Sequence, residues 1–548
     1  MNDAVLTIED LTVALPSWAD RARAVDNVSL EVLRQEILCV VGESGSGKSV
    51  MAKSILRLLP EPHVRVTAGR IMYEGQNLLA QPEEVIRAIR GRRIAMIFQE
   101  PMVALNPLMT VGRQTSEIIE VHTRMRPAER RSRIVEVFAD VRLPQPERIL
   151  RSYPHELSGG QRQRVMIAIA LALEPTLIIA DEPTTALDVT TQAQILRLLK
   201  DLQGRHGTAI LFITHDFGVV AEIAHRVAVM REGKVVEQGP ASNILQHPQH
   251  AYTRALVAAV PSLTPRRSAH TRTVIPGGQP LLSVASLEKT FMGRSSGFML
   301  GTRRVRAVAG VSFDVRKGRA LALVGESGSG KSTLARCIVG LERADRGTIS
   351  LEGSNIVGLS RARLRPHRKS LQMIFQDPFA SLNPRWRVGD IIAQGPMVNG
   401  TPRSIALAQA AELLRMVGLD PKAVSRYPHE FSGGQRQRIG IARALAVKPK
   451  MIIADEPVSA LDVSVQKQVL DLLDKLRTAF DLSMLFITHD LRVAAHVCEE
   501  IAVMKDGTIV EQGATAEVFA FPEHEYTKAL LASVPGRDWN LRLPAVPD

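Results

Sequence analysis

Continuous apolar runs of strand length recur along this chain: EILCVVG at 36–42, TLIIAD at 176–181 and AILFIT at 209–214. Runs without polar interruption suit strands buried on both faces, the pattern of a parallel sheet covered by helices. Behind the first run, Ile55, Leu58 and Leu59 fall at helical spacing, and the corresponding stripe further on is Leu334, Ile338 and Leu341. A polar, helical middle follows each of these stripes, and strands then alternate with helices. The pattern predicts an α/β chain. The longest apolar stretch, Val165 to Ala180, is broken by Glu174 and Pro175. A spanning helix needs about 20 apolar residues, so any membrane role is expected to come through a partner.

The elements occur twice. GESGSGKS at 42–49 returns at 325–332, and YPHELSGGQRQR at 153–164 returns as YPHEFSGGQRQR at 427–438. IIADEP at 178–183 recurs at 452–457, LFITHD at 211–216 recurs at 485–490, and HPQHAYTRAL at 247–256 has a looser echo in FPEHEYTKAL at 521–530. The offset is constant from the YPHE segment onward and larger at the glycine loop. The second copy therefore carries extra residues near its start, around MGRSSGFMLG at 292–301, and is shorter in its middle. A repeat of this length is a duplicated domain and not a solenoid unit. The stretch AAVPSLTPRRSAHTRTVIPGGQP at 258–280 is rich in Pro, Gly, Ser and Thr and lacks apolar periodicity, so it reads as a linker. The expected organisation is a first domain over 1–258, a linker over 259–280, a second domain over 281–535 and a tail over 536–548.

Composition narrows the partners. A hydrophobic content of 45% fills large cores, while aromatics at 4% argue against stacking platforms for single-stranded nucleic acid. The net charge of +13 suits a nucleotide, a membrane surface or nucleic acid, or a solvated basic surface. Cys39, Cys337 and Cys498 are too far apart for a CxxC metal site, and an odd count fits a reducing compartment. The opening MNDAVLTIED has no secretory signal pattern, so a cytosolic chain is expected.

GESGSGKS matches the phosphate-binding loop pattern. Gly42, Glu43, Ser44, Gly45, Ser46 and Gly47 form the first loop, and Gly325, Glu326, Ser327, Gly328, Ser329 and Gly330 the second. Glycines let the backbone N–H groups curl toward phosphate oxygens, and the following helix aims its positive end at the same anion. Lys48 and Lys331 can reach the β- and γ-phosphates of ATP, and Ser49 and Ser332 offer a hydroxyl to Mg²⁺. Thr333 can add a hydroxyl toward the α-phosphate where the first copy has Val50.

Each copy then has an apolar strand ending in Asp-Glu. Asp181 and Asp455 are placed to hold Mg²⁺ through water, and Glu182 and Glu456 to orient or deprotonate an attacking water. His215 and His489 end later strands at the same distance behind that pair and can donate to the γ-phosphate. Gln99 and Gln376, in IFQEP and IFQDP, can contact both the metal and the attacking water. A simple phosphate-loop ATPase has no need of SGGQ. Ser158, Gly160 and Gln161, and Ser432, Gly434 and Gln435, open helices whose N-termini read as a second anion-binding point.

Glycine loop, Gln loop, SGGQ signature, Asp-Glu, Leu-Asp turn (Leu187–Asp188, Leu461–Asp462) and His occur in order, twice. Over about residues 5–260 and 281–535 the chain resembles the ABC ATPase superfamily. QEPMVALNP, QDPFASLNP, YPHE and the H-x-YT segments closing each unit make it similar to the fused ATP-binding subunits of peptide/nickel-type importers. The resemblance implies two tandem phosphate-loop domains, each with a RecA-like core sheet, an antiparallel β region and a helical signature subdomain. It implies head-to-tail pairing, with the Lys48 loop facing Ser432, Gly434 and Gln435, and the Lys331 loop facing Ser158, Gly160 and Gln161. It also implies two transmembrane permease subunits docking on about 100–165 and 377–440, a separate solute-binding protein, and a peripheral location on the cytoplasmic face of a bacterial inner membrane.

The family places an aromatic ring under the adenine. Phe291 fits, while the matching position in the first copy is Leu15, with Trp18 near enough to substitute. Relatives with an iron–sulfur cluster carry a terminal cysteine group; linker and tail here hold no cysteine, so no cluster is expected. The rival reading is a soluble twin-ABC ATPase acting on ribosomes or nucleic acid, which the basic charge favours. The short, Pro-rich linker opposes it, and no nucleic-acid partner is expected. A phosphate-loop kinase leaves SGGQ unexplained. Peptide is the first choice of cargo, with glutathione, nickel, opines and other small solutes open.

Overall fold

The strand predicted at EILCVVG forms as Ile37–Val41, every residue of it buried. The structure is a computed structural model that describes residues 3–184, 187–265, 279–294, 302–459, 461–537 and 539. Most of the expected linker, the centre of the MGRSSGFMLG segment and nearly all of the tail lie outside these residues. The chain divides into two compact units: Met1–Leu187 with Thr191–Val260 and Pro535–Asp548, and Asp188–Thr190 with Pro261–Val534.

In the first unit a six-stranded sheet runs in the order Lys234–Pro240, Arg226–Arg231, Ile37–Val41, Ala209–Thr214, Leu177–Asp181, Ile94–Ile97. All pairings are parallel except that of the outermost Lys234–Pro240. The second unit repeats this order with Thr508–Ala514, Glu500–Lys505, Ala320–Val324, Ser483–Thr488, Met451–Asp455 and Leu371–Ile374. Each unit adds a four-stranded antiparallel sheet, built on the Ala4–Ala14/Arg23–Leu33 hairpin in one and the Leu282–Arg294/Thr302–Val315 hairpin in the other. The second hairpin has 13- and 14-residue strands against 11 and 11 in the first.

The continuous apolar runs are explained by burial on both faces. In the second unit Leu321, Leu323, Ile453, Leu485 and Ile487 face a core shared with the antiparallel sheet. Their alternates Ala322, Val324, Ile452, Ala454 and Phe486 face a core shared with Val388–Val398 and Gly433–Leu445 of the helical middle. Because sheet neighbours differ from chain neighbours, the C-terminal ends of three adjacent strands, Val324, Asp455 and Thr488, come together, and the loops beyond them build the site.

One sequence expectation is corrected. The helical stripe was drawn through Leu58 and Leu341, but the helices end at Ile55 and Ile338. Arg57 (φ +52°) and Gly340 (φ +69°) take the left-handed conformation. The next amides, of Leu58 and Leu341, turn back to the carbonyls of Lys53 (2.9 Å) and Arg336 (2.8 Å). This is a Schellman stop, and it leaves Leu58 39% and Leu341 56% exposed.

Candidate active site

The glycine loop is shaped by close backbone approach. A Cβ on Gly42 would lie 2.2 Å from the Met230 carbonyl oxygen, and one on Gly47, at φ +104°, 2.3 Å from that of Ala24. Gly325 and Gly330 meet Met504 and Ala307 in the same way, at 2.2 and 2.0 Å. Only glycine supplies these contours. The helices that follow, Lys48–Ile55 and Lys331–Ile338, start without a side-chain cap. Their first amides and positive dipole ends therefore suit an anion.

Lys48 is buried and donates its ammonium to the carbonyls of Gly42 (2.7 Å) and Glu43 (2.9 Å) and to Ser46 Oγ (3.3 Å). Lys331 repeats this with Gly325 (2.8 Å), Glu326 (2.7 Å) and Ser329 (3.3 Å). Burial pulls the Lys331 ammonium below its usual pKa against the pull of Glu456 and Asp455. An anion beside it would favour the charged form, so the loop fits a polyphosphate.

Ser49 Oγ donates to Asp181 Oδ1 at 2.8 Å, and Ser332 Oγ to Asp455 Oδ1 at 3.1 Å. Burial raises the pKa of both aspartates, opposed by the serine bonds. A hydroxyl and a carboxylate side by side form the hard oxygen-donor set that Mg²⁺ takes.

The next residue in each copy is strained. Glu182 and Glu456 sit at φ +46° and +45°, with their amides bonded to Ile213 (3.0 Å) and Ile487 (2.9 Å) on the neighbouring strand. Non-glycine residues in that region are uncommon and cluster at functional sites. Gln99 Nε2 donates to Glu182 Oε2 at 2.8 Å and His215 Nδ1 lies 3.3 Å from Oε1. In the second unit Gln376 and His489 hold Glu456 at 3.0 and 3.3 Å. Burial alone would raise the Glu456 pKa, but His489 and then Lys331 outweigh it and hold the carboxyl below its usual range. Burial would likewise lower His489, and Glu456 outweighs it in the other direction.

The signature helices have a different local economy. Ser158 Oγ accepts from the Gln161 amide at 3.3 Å while Gln161 Oε1 accepts from the Ser158 amide at 3.0 Å, and Ser432 and Gln435 do the same. Ser and Gln thus cap their own helix as a reciprocal box. Gly160 and Gly434 lie against the next long helix: a Cβ there would meet Thr191 Cγ2 at 2.7 Å and Val465 Cγ1 at 2.4 Å. Just before them Glu156 and Glu430 accept from the amides of Tyr153 and Tyr427, at 2.8 and 2.5 Å.

Each unit therefore brings its own lysine, serine, aspartate, glutamate, glutamine and histidine together, and places its signature on a separate helix. Phe291 sits half-exposed near the end of its hairpin strand, with the Lys289 ammonium 5.0 Å from the ring centroid. Leu11 pairs with Val28 as Leu287 pairs with Val311, which puts Leu15 at the place of Phe291. Leu15 packs partly buried on the first core, while Trp18 is 72% exposed and edge-on to His63 at 5.4 Å. Thr333 and Val50 occupy the first turn of their helices.

Sequence reasoning missed Tyr252 and Tyr526, whose hydroxyls reach the second residue of each glycine loop. The duplicated H-x-YT segment was the available signal, but nothing in it names a partner.

The ABC transporter family profile matches residues 25–185 and 308–459, and the oligopeptide/dipeptide transporter C-terminal region matches 236–295 and 510–547. The chain is 49% identical over 534 residues to the peptidoglycan transport ATP-binding protein YejF of Agrobacterium fabrum, covering 96% of each chain. It is 47% identical over 560 residues to the glutathione import ATP-binding protein GsiA of Salmonella choleraesuis, covering 97% of this chain and 90% of that one. Among solved structures, a dimeric post-hydrolysis state of the ATP-binding cassette MJ0796 bound to ADP and Pi aligns with 43% of this chain and 98% of its own, at 27% identity and a TM-score of 0.39.

Proposed function

The chain belongs to the ABC transporter family, in its oligopeptide/dipeptide branch, and from that premise we propose that it is the energy-coupling subunit of an importer for peptides or similar small solutes. It binds and hydrolyses ATP. One observation carries the reading: the same constellation is built twice, a buried lysine in a glycine loop, a Ser–Asp pair, and a glutamate held between a glutamine and a histidine.

In this reading Lys48 and Lys331 hold the terminal phosphates, and Ser49 with Asp181, and Ser332 with Asp455, hold Mg²⁺, with Gln99 and Gln376 at its edge. Bound Mg²⁺ would neutralise charge on the phosphate oxygens. Glu182 and Glu456 take the proton of the water that attacks the γ-phosphorus, the bond to the bridging oxygen breaks, and ADP and phosphate leave. His215 and His489 donate to the γ-phosphate oxygens and position each glutamate. The ATPase domains span 1–258 and 281–535, joined by 259–280, with a tail at 536–548. Ser158, Gly160 and Gln161, and Ser432, Gly434 and Gln435, supply the second anion-binding point for nucleotide. The Ser–Gln cap uses only acceptor atoms of the two side chains, so the serine hydroxyl, the glutamine Nε2 and the glycine amides remain donors for the nucleotide.

Among the described residues no helix is long and apolar enough to cross a membrane. Two transmembrane permease subunits and a separate solute-binding protein complete the importer, with this chain peripheral on the cytoplasmic face. Exposed Met102, Val103 and Leu108, and Phe379 and Trp386, just past each Gln loop, support docking of the permeases there. Glutathione is a peptide and peptidoglycan carries peptide stems, so peptide is the cargo class that the two relatives' names share. The test is reconstitution with the neighbouring permeases in vesicles: ATP-driven peptide uptake is expected. RNase-sensitive co-sedimentation with ribosomes, without detergent-sensitive membrane association, overturns the reading.

A further inference from the structure

The H-x-YT segments lie far from the glycine loops in sequence, yet each ends on one. In the first unit Glu237 accepts from the amides of Gln249 (2.7 Å) and His250 (3.1 Å), and His250 Nδ1 accepts from the Tyr252 amide (3.2 Å). This holds the helix Ala251–Ala259 at its start. The Tyr252 hydroxyl then accepts from the Glu43 amide at 3.3 Å and donates to Glu43 Oε2 at 3.2 Å. The Glu43 carbonyl is one of the acceptors of Lys48, at 2.9 Å. The second unit repeats the chain of contacts: Glu511 to His524 (3.1 Å), His524 to Tyr526 (3.0 Å), Tyr526 to the Glu326 amide (3.1 Å), and Glu326 to Lys331 (2.7 Å). Cations cover both rings, Arg231 at 5.0 Å and Lys505 at 4.9 Å from the centroids.

We propose that Tyr252 and Tyr526 are positioning residues for nucleotide binding, each pinning the second residue of its glycine loop. The hydroxyl fixes the peptide whose carbonyl seats the lysine. In the first unit it also keeps the Glu43 carboxylate turned onto the phenol. A carboxylate on the rim of a loop that takes a triphosphate repels it, and the repulsion grows as water is excluded. Burial pushes both phenols up to about 12, so they remain protonated donors across the physiological range. The inference rests on the reading that these loops bind ATP.

The test isolates the first site in the full chain carrying Lys331→Ala and measures the dissociation constant of the non-hydrolysable analogue AMP-PNP. Tyr252→Phe is expected to weaken binding about tenfold, the loss of one hydrogen bond to a charged group. Adding Glu43→Gln should relieve part of that loss, because the side chain then carries no charge, while the part due to the unpinned peptide stays. Unchanged affinity in Tyr252→Phe, or a loss that Glu43→Gln does not relieve, overturns the inference. A Lys331→Ala chain that binds no nucleotide at all overturns the reading of the Lys48 loop instead.

Discussion

A methyl group placed on Gly434 would lie 2.4 Å from Cγ1 of Val465. The second glycine of the signature is thus also a packing residue, letting the helix Gly433–Leu445 approach Val463–Phe480. Gly434→Ala is expected to destabilise the chain by roughly 1–3 kcal/mol through overpacking. Val465→Ala in that background should return most of it, since it vacates the contested space. Thermal melting of the four chains checks this, and strictly additive effects would show that the two sites do not share that space.

Glu182→Gln with Glu456→Gln retains the hydrogen-bonding shape of each site and removes the base. ATP binding should persist while turnover falls about 10²–10⁴-fold. Steady-state phosphate release measures it. A double variant working at the parent rate would remove these glutamates from the reaction.

The three cysteines should resist thiol reagents in the folded chain. All are buried, and burial pushes Cys337 up to about 11 and Cys39 and Cys498 further still. The thiolate is the reactive form, and it is populated only as pH rises toward the raised value. At pH 8 Cys337 holds roughly a hundredfold less thiolate than an unshifted cysteine. Slow labelling at pH 8, faster at pH 10, and complete labelling in guanidinium are expected. Rapid native labelling at pH 8 contradicts it.

The two ATP sites should differ, with the Lys331 site the tighter. Phe291 offers a ring where Leu15 packs into the first core, and stacking of a base on an aromatic is worth about 1–3 kcal/mol. Thr333 offers a hydroxyl where Val50 is aliphatic, and one neutral hydrogen bond nets about 0.5–1.5 kcal/mol. Together these correspond to tenfold or more in affinity. Measuring AMP-PNP binding in Lys48→Ala and Lys331→Ala separately decides the matter. Equal affinities, or tighter binding when Lys331 is the residue removed, refute the asymmetry.

Much of the molecule was legible before folding. The apolar runs at 37–41 and 177–180 became fully buried strand, because a segment without polar side chains has few other places to go. The helix after each glycine loop was legible at its start and misjudged at its end. Apolar spacing through Leu58 continues past the stop, and the left-handed turn at Arg57 has no strong side-chain signature. The signature was legible as a helix start, but not the reciprocal Ser–Gln cap or the glycine's role in helix crossing, since both depend on geometry after packing.

By itself the sequence determined the chemistry that is contiguous: a Gly-Lys-Ser loop, an Asp-Glu strand end, a Ser-Gly-Gly-Gln helix start, and their duplication. These work through backbone curvature and side chains within one turn, so the run of residues suffices. Only the tertiary structure decided who meets whom. Ser49 and Asp181 are 132 residues apart, Gln99 and Glu182 83, and Tyr252 and Glu43 209. The first two pairs touch because the parallel sheet orders its strands differently from the chain, and the third because the helix Ala251–Ala259 returns to the glycine loop. That order is selected by burying both faces of the sheet at once, a collective property of the packed cores that no single stretch of residues carries.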